Sequence, residues 1–358
     1  MDKVSTAMHA RASTSPTRLP AWLAGLGEHV YARGVAKRAA KFDEGLGVVT
    51  IDRPVISVGN LTVGGTGKTP MVAWRINALL DMERDPAIAM RGYRKKNGIS
   101  DEATLYRQQF GGVPVVAQPN RLEGLIEVFA TERGQRVDCV VLDDGFQHRR
   151  IARQMDIVLI DASRPLESDR LLPAGWLREP LEALDRATHV IVTHAEAVEA
   201  QEIGRLDTWL RASLGRGGDA VARHVWTKLE VTEPSGETRI EPVAWLRWRQ
   251  VVAACGIGNP EAFLSAVSHA TGAEVAGRAY PDHHAFSRSD VKNLRQSVVQ
   301  RGAQALVVTA KDWTKLAALP ASEWGCPVVR PVLAMEFDRG EAAMIAALQQ
   351  VLEVHATD

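Results

Sequence analysis

Residues 54–70, Pro54-Val-Ile-Ser-Val-Gly-Asn-Leu-Thr-Val-Gly-Gly-Thr-Gly-Lys-Thr-Pro70, decide the fold class of this chain. The first six residues are mostly apolar and predict a short buried strand. After Pro70, apolar side chains recur at helical spacing, at Val72, Ile76, Leu79 and Leu80. The glycine-rich stretch between strand and helix therefore has the setting of a nucleotide phosphate-binding loop.

The loop predicts direct contacts with phosphate groups. Backbone N–H groups at a helix N-terminus stabilise phosphate oxygens, and glycines allow the backbone angles that such a loop needs. Lys68 can reach the outer phosphates, and the Thr69 hydroxyl can bind Mg²⁺. The predicted nucleotide-binding residues are Thr62, Val63, Gly64, Gly65, Thr66, Gly67, Lys68 and Thr69. The usual pattern begins with a glycine where this chain has Thr62, but the flanking strand and helix disfavour a mere turn with an incidental lysine.

A second strand pattern ends in two acids. The run Val137-Asp-Cys-Val-Val-Leu-Asp-Asp144 is apolar up to Asp143 and Asp144. In proteins with this kind of loop, an aspartate at a strand end holds Mg²⁺ against the β- and γ-phosphates. Alone, the run would indicate an ordinary strand and a polar turn. Together with the loop it predicts Asp143 as the first candidate metal ligand, while Asp144 can share that role or position a second group.

Composition narrows the class of protein. The 358 residues exceed one typical domain, so two domains are expected. Lys plus Arg and Asp plus Glu number 43 each, so the charge balance does not indicate a nucleic-acid partner. Cys139, Cys255 and Cys326 lie far apart in apolar surroundings, which predicts reduced, buried thiols and a cytoplasmic protein. No apolar stretch approaches the roughly 20 residues of a membrane span.

The N-terminal region divides into a tail and a helix. Residues 1–18 are rich in Ser, Thr and Ala and predict a disordered tail without a secretion signal. Residues 19–41 carry apolar side chains near helical spacing, followed by Arg33, Lys37, Arg38 and Lys41. Such a helix can lie on an anionic membrane surface or pack on the core with a solvated basic end. The residues alone leave both alternatives open.

The rest of the chain alternates apolar runs with helical patterns. The runs cover residues 87–90, 113–117, 157–160, 190–192, 251–255, 306–309 and 328–335. This alternation predicts an α/β fold with a mainly parallel sheet covered by helices. A polar, turn-rich stretch at 230–242, with a hairpin around Pro234-Ser-Gly236, interrupts it.

These patterns predict the division of the chain. We expect a nucleotide-binding domain over residues 19–229, a hinge at 230–242 and a smaller α/β domain over 243–358. A last helix, 341–354, can pack on either domain.

Phosphoryl transfer to a hydroxyl group benefits from a positioned base, and two segments offer one. The first is Arg91-Gly-Tyr-Arg-Lys-Lys-Asn-Gly-Ile-Ser-Asp-Glu102, and the second is Tyr280-Pro-Asp-His-His-Ala-Phe286. Each alone is more typical of a surface loop. An aspartate from one and a histidine from the other would form a base pair if they met, because the carboxylate can orient the imidazole.

Seven motifs in this order resemble the tetraacyldisaccharide 4'-kinase family, the lipid A 4'-kinases of Gram-negative envelope synthesis. The resemblance spans nearly the whole chain after the tail. The motifs are Val58-Gly-Asn-Leu-Thr-Val-Gly-Gly-Thr-Gly-Lys-Thr-Pro70, Arg91-Gly-Tyr93, Asp143-Asp-Gly-Phe-Gln-His148, Leu172-Pro-Ala-Gly-Trp-Leu-Arg-Glu-Pro180, Gly256-Ile-Gly-Asn-Pro260, Asp282-His283 and Lys311-Asp312.

The resemblance implies transfer of the ATP γ-phosphate to the 4'-hydroxyl of an acylated glucosamine disaccharide 1-phosphate. It implies ATP and Mg²⁺ as cofactors, a P-loop fold with a second domain joined by a hinge, and a monomer peripheral to the cytoplasmic face of the inner membrane. Lys68 would act in catalysis, Asp101 and His283 would form the base pair on domain closure, and Arg178 would contact an anion near the site.

Two departures and two alternatives accompany the resemblance. The family has Thr-Glu-Lys-Asp where this chain has Thr309-Ala-Lys-Asp312, and Glu102 is followed by Ala103 instead of proline. A P-loop GTPase or metallochaperone-like regulator would share the loop, but the guanine-specific motif and a Cys/His cluster are missing from the sequence. A soluble small-molecule kinase would use the same loop and would need no lipid-facing surface.

Overall fold

A computed structural model of the chain describes residues 17, 19–92, 100–164, 166–282 and 284–357. The helices are α1 (Ala21–Asp43), α2 (Lys68–Asp81), α3 (Asp101–Gln109), α4 (Arg121–Phe129), α5 (Glu132–Gln135), α6 (Ala200–Leu214), α7 (Pro260–Thr271), α8 (Arg288–Gln300), α9 (Ala310–Leu316) and α10 (Glu341–Thr357). The strands are β1 (Val55–Asn60), β2 (Pro86–Met90), β3 (Val115–Ala117), β4 (Cys139–Asp143), β5 (Met155–Asp161), β6 (His189–Thr193), β7 (Ala220–Thr232), β8 (Thr238–Glu241), β9 (Val251–Cys255), β10 (Ala276–Ala279), β11 (Ala305–Val308) and β12 (Val328–Arg339). A strand lies at each predicted apolar run, and the α/β fold class is confirmed.

The described residues form two compact units. The first unit draws on Met1–Arg91, Gln118–Arg223 and Glu336–Asp358, and the second on Gly92–Ala117 and His224–Met335. This division differs from the predicted bounds at residues 92–117 and at the boundary after Arg223, and it answers the open question of where α10 packs. Helix α3, expected in the nucleotide-binding domain, belongs to the second unit because it packs against α9. Helix α10 belongs to the first unit, where Arg75 Nη1 of α2 donates to the carbonyl oxygen of Met344 at 3.2 Å.

Residues 230–242 contain the predicted hairpin. Strands β7 and β8 pair antiparallel, with Thr232 opposite Thr238 across the Pro234-Ser-Gly236 turn. The hairpin lies within the second unit. A hinge at this position stays a prediction.

The first unit is built on a parallel sheet with the strand order β6-β5-β1-β4-β2. Every residue of β1, β2, β4 and β5 is buried, as expected for a parallel sheet covered on both faces. Strands β1 and β4 are in register with Val58 opposite Asp143. The loop that follows β1 and the acids that end β4 therefore emerge side by side at the carboxyl edge of the sheet.

Helix α1 confirms the predicted N-terminal helix but buries little of its apolar surface. Trp22, Leu26 and Val30 are 72%, 62% and 66% exposed, and Ala24 is the buried residue. The core-packing alternative therefore does not hold for these side chains. In the part of the chain that the structure describes, no helix is long and apolar enough to cross a membrane.

The second unit has the parallel strand order β10-β9-β11-β12. Three of its helices begin at side-chain caps, which fix where each of the three starts. Asn259 caps α7, Ser287 forms a capping box with Asp290 on α8, and Thr309 caps α9 directly after β11.

The three cysteines are buried and form no disulfide, as predicted. Burial raises the pKa of Cys255 to about 12 and that of Cys326 to about 11. These two thiols therefore stay protonated at neutral pH.

Candidate functional site

The phosphate loop connects β1 to α2 and is held by its neighbours. Gly64 and Gly67 have φ angles of 115° and 82°, which side chains other than glycine rarely adopt. The Asn60 Nδ2 atom donates to the Thr62 carbonyl oxygen at 2.8 Å. The Thr193 hydroxyl donates to the Thr66 carbonyl oxygen at 3.0 Å. The loop is thus shaped by the chain itself, which reduces the ordering cost of binding phosphate.

Lys68, the first residue of α2, points to the end of β4. Its Nζ atom donates to Asn60 Oδ1 at 3.0 Å and lies 3.4 Å from Asp144 Oδ1. The Arg178 Nη1 atom donates to both carboxylate oxygens of Asp144, at 2.8 and 2.9 Å. The structure therefore brings together Lys68, Asp144 and Arg178, which the sequence analysis singled out from three separate motifs.

The electrostatic balance at Asp144 favours its ionised form. Burial alone would raise the pKa of the carboxyl, but Lys68, Arg178 and Arg121 outweigh burial and lower the pKa below its ordinary value. Asp143, the preceding residue, is 5% exposed. Carboxylate and hydroxyl oxygens are ligands that Mg²⁺ prefers, so Asp143, Asp144 and Thr69 fit a magnesium site in their chemistry.

Arg121, at the start of α4, is a site residue that the sequence analysis missed. Its side chain is 2% exposed, and its Nη2 atom donates to the Asp144 carbonyl oxygen at 3.1 Å. Its Nε and Nη1 atoms are buried and make no hydrogen bond to any described residue. Burial lowers the pKa of Arg121, while Asp143 and Asp144 act in the opposite direction.

Buried donors without an acceptor are costly unless a ligand satisfies them. The buried Thr66 hydroxyl, on the loop itself, also has no partner among the described residues. The Arg121 guanidinium group and the Thr66 hydroxyl group therefore fit an anionic ligand such as a nucleoside triphosphate. In the sequence, the feature that could have indicated Arg121 as a site residue is its position at the start of a helix that follows a strand.

The predicted base pair lies partly outside the described residues. Asp101 begins α3, its side chain is 10% exposed, and its Oδ2 atom lies 3.3 Å from Lys315 Nζ. His283 is outside the described residues, so its pairing with Asp101 stays a prediction. The neighbouring Asp282 lies 3.5 Å from Lys311, and Lys311 lies 3.4 Å from Glu102.

Comparison with known proteins extends these findings. The family model described as tetraacyldisaccharide-1-P 4'-kinase matches residues 21–353. The tetraacyldisaccharide 4'-kinase of Geobacter sulfurreducens is 36% identical over 340 residues, which cover 90% of this chain and 91% of the relative. That of Anaeromyxobacter dehalogenans is 35% identical over 348 residues, which cover 91% of this chain and 89% of the relative. The crystal structure of LpxK from Aquifex aeolicus in complex with ATP matches with a TM-score of 0.65 and 25% identity, over 91% of this chain and 97% of that one.

Proposed function

The chain belongs to the tetraacyldisaccharide 4'-kinase family, and we propose that it transfers the γ-phosphate of ATP to the 4'-hydroxyl of an acylated glucosamine disaccharide 1-phosphate. The product is the 1,4'-bisphosphate lipid A precursor. The observation that carries the proposal is the family match over residues 21–353, within which Lys68, Asp144 and Arg178 converge on one point. The GTPase and metallochaperone alternatives are not favoured, because the matching proteins are named as kinases.

The donor end of the reaction belongs to the loop Thr62–Thr69. Its backbone N–H groups and the N-terminus of α2 would hold the phosphates, and Lys68 would move from Asp144 to the outer phosphates. Asp143, Asp144 and Thr69 would hold Mg²⁺, which when bound neutralises charge that develops on the phosphates.

Two arginines support the same end. Arg178 and Arg121 hold Asp144 from its carboxylate and its carbonyl oxygen, respectively. The remaining N–H groups of Arg121 suit phosphate oxygens, because a guanidinium group offers several donors in one plane.

The acceptor end belongs to Asp101 and His283. Asp101 would orient the imidazole, which accepts the 4'-hydroxyl proton as that oxygen forms its bond to the γ-phosphorus. The bond between the γ-phosphorus and the β,γ-bridging oxygen breaks, and ADP leaves with the electron pair of that bond. The Asp101 carboxylate is held beside Lys315, so it is kept in one place before the acceptor arrives.

Helix α1 would bring the enzyme to its lipid substrate as a monomer at the cytoplasmic face of the inner membrane. Its exposed Trp22, Leu26 and Val30 suit the boundary between headgroups and acyl chains. Lys37 and Lys41, further along the helix, suit acidic headgroups.

The proposal is tested by incubating the protein with ATP, Mg²⁺ and a detergent-dispersed acylated disaccharide 1-phosphate, then mapping the new phosphate by mass spectrometry and phosphorus NMR. We expect a single phosphate at the 4' position and none when a chelator removes Mg²⁺. A disaccharide blocked at the 4' position is the matched control. Phosphate on another position, or equal activity on a soluble disaccharide without acyl chains, would contradict the proposal.

A further inference from the structure

Helix α9 carries two lysines one turn apart, Lys311 and Lys315, that face the first turn of α3. The Lys315 Nζ atom lies 3.3 Å from Asp101 Oδ2 and 3.6 Å from Asp312 Oδ1. The Lys311 Nζ atom lies 3.4 Å from Glu102 Oε1 and 3.5 Å from Asp282 Oδ1. All of these residues belong to the second unit.

The Lys315 ion pairs are shielded from solvent. The side chains of Lys315 and Asp101 are 12% and 10% exposed, and that of Asp312 is fully buried. Charges that are removed from water interact more strongly than the same charges on the surface. The Lys315 Nζ atom makes no hydrogen bond to the described residues, so it acts on Asp101 as a charge.

Asp312 fixes Lys315 from the other side. Its Oδ2 atom accepts the Gly256 N–H at 2.9 Å and the Thr309 hydroxyl at 2.6 Å. Its Oδ1 atom is the one nearer Lys315. A rigid carboxylate at the end of β9 and β11 thus sets the position of the lysine, and the lysine sets the position of the Asp101 carboxylate.

We propose that Lys315 is a positioning residue for the acceptor base pair, holding the Asp101 carboxylate beside a fixed positive charge and in one orientation. Lys311 assists by joining Glu102, next to Asp101, to Asp282, next to His283. The inference rests on the proposed function, because it needs Asp101 to act on the histidine that accepts the hydroxyl proton. It assigns a role to the Lys311-Asp312 motif and to the helical turn that follows it.

The test compares Lys315→Met with Lys315→Arg in the transfer assay across pH, with Lys292→Met as a matched control on the exposed face of α8. We expect Lys315→Met to lower kcat by about 10- to 100-fold and to leave KM for ATP within about twofold. The acid limb of kcat against pH should move to higher pH, because the Asp101 and His283 base pair, which titrates as a unit, loses a neighbouring cation that disfavours its protonation. Lys315→Arg keeps the charge and should restore the limb to within a few tenths of a unit.

The carboxylates that pair with Lys311 and Lys315 besides Asp101, namely Glu102, Asp282 and Asp312, remain unchanged in these variants. An acid limb of Lys315→Met that coincides with that of the unmodified protein would overturn the inference. So would a Lys292→Met variant that shifts the limb equally.

Two further variants separate this inference from the proposed function and from misfolding. Asp101→Asn should lose about 10²- to 10⁴-fold in kcat, as expected when the partner that orients a general base is removed. In the double variant Lys315→Met with Asp101→Asn, the Asp101 carboxylate is absent, so no charge is left without its lysine partner. Its kcat should fall no further than that of Asp101→Asn alone, because Lys315 acts through Asp101. A double loss equal to the product of the single losses would overturn the positioning role. Near-normal rates for Asp101→Asn would overturn the assignment of Asp101 to the base pair.

Discussion

The turn after β4 and the first turn of α3 both hold carboxylates against cations, but in opposite proportions. At the turn after β4, three cations, Lys68, Arg121 and Arg178, act on Asp143 and Asp144. Around the start of α3, the two lysines of α9 form ion pairs with four carboxylates, those of Asp101, Glu102, Asp282 and Asp312.

The difference matches the chemistry proposed for each region. An excess of cations can accept the negative charge of a triphosphate and still hold the metal ligands in place. An excess of carboxylates keeps a proton acceptor available and does not compete for phosphate. The two regions therefore have opposite local charge, although the net charge of the whole chain is close to zero.

The largest expected effect comes from removing the cation within the phosphate loop. Lys68→Ala should reduce phosphoryl transfer by about 10³-fold, because Lys68 is placed to stabilise charge on the transferred phosphoryl group. Transfer rates at saturating ATP measure the effect, and circular dichroism checks that the variant is folded. Lys228→Ala, an exposed lysine of β7, is the control. A Lys68→Ala variant with near-normal rates would remove the basis for treating the β4 turn as a donor site.

Arg121→Gln should have the next largest effect. Losing two buried donors that suit phosphate should lower kcat/KM for ATP by about 10- to 100-fold, in line with the strength of hydrogen bonds to charged groups. Isothermal titration calorimetry with ATP separates weaker binding from slower chemistry. Arg136→Gln, an exposed arginine after α5, should match the unmodified protein. Unchanged ATP affinity and rate in Arg121→Gln would mean that two cations suffice for the donor region.

His148 reports its own burial, together with the neighbouring cations, through the stability of the protein. Burial, followed by Arg121 and Arg153, lowers the pKa of His148 to about 4. The unfolded chain takes up a proton near pH 6.5, whereas the folded chain does so only near pH 4, so the free energy of unfolding falls as the pH drops between these values. We expect this residue to account for about 1–2 kcal/mol of that loss, after allowance for solvent screening.

His148→Gln should therefore flatten the stability curve between pH 6.5 and pH 4, as measured by urea unfolding. His269→Gln, on the exposed face of α7, is the control and should keep the slope of the unmodified protein. Equal slopes for the unmodified protein and His148→Gln would argue that neither burial nor the cations of the β4 turn lower the pKa of His148.

The donor region could be predicted from the sequence because its signals are local. The β1 strand and the loop glycines lie within a few residues of one another, and the two acids directly end the apolar run of β4. Parallel pairing of β1 and β4 then places the loop beside Asp143 without further information. Arg178 required the family resemblance, because nothing in its own neighbourhood indicates Asp144 as its partner.

The acceptor region could not be predicted in the same way. Helix α3 follows β2 closely in the chain, yet it belongs to the second unit through its packing on α9. The ion pair of Asp101 and Lys315 joins residues that are far apart in sequence and have no shared pattern. Long-range packing of this kind outweighs chain proximity, and one sequence contains no direct sign of it.

The smallest expected effect tests whether the acceptor region lacks an acid. Ala310 is the first residue of α9, between the Thr309 cap and Lys311, at the position where the family resemblance leads us to expect glutamate. Ala310→Glu should change kcat by less than about threefold, because Lys311 already has Glu102 and Asp282 as partners. It should raise the free energy of unfolding by about 0.3–1 kcal/mol, since an acid is favourable at a helix N-terminus. Ala310→Gln, of equal size without the charge, separates the two effects. A tenfold gain in kcat with Ala310→Glu but not with Ala310→Gln would contradict this prediction. It would mean that the acceptor region needs a further carboxylate for full activity, and that this chain is an impaired copy of its family at this position.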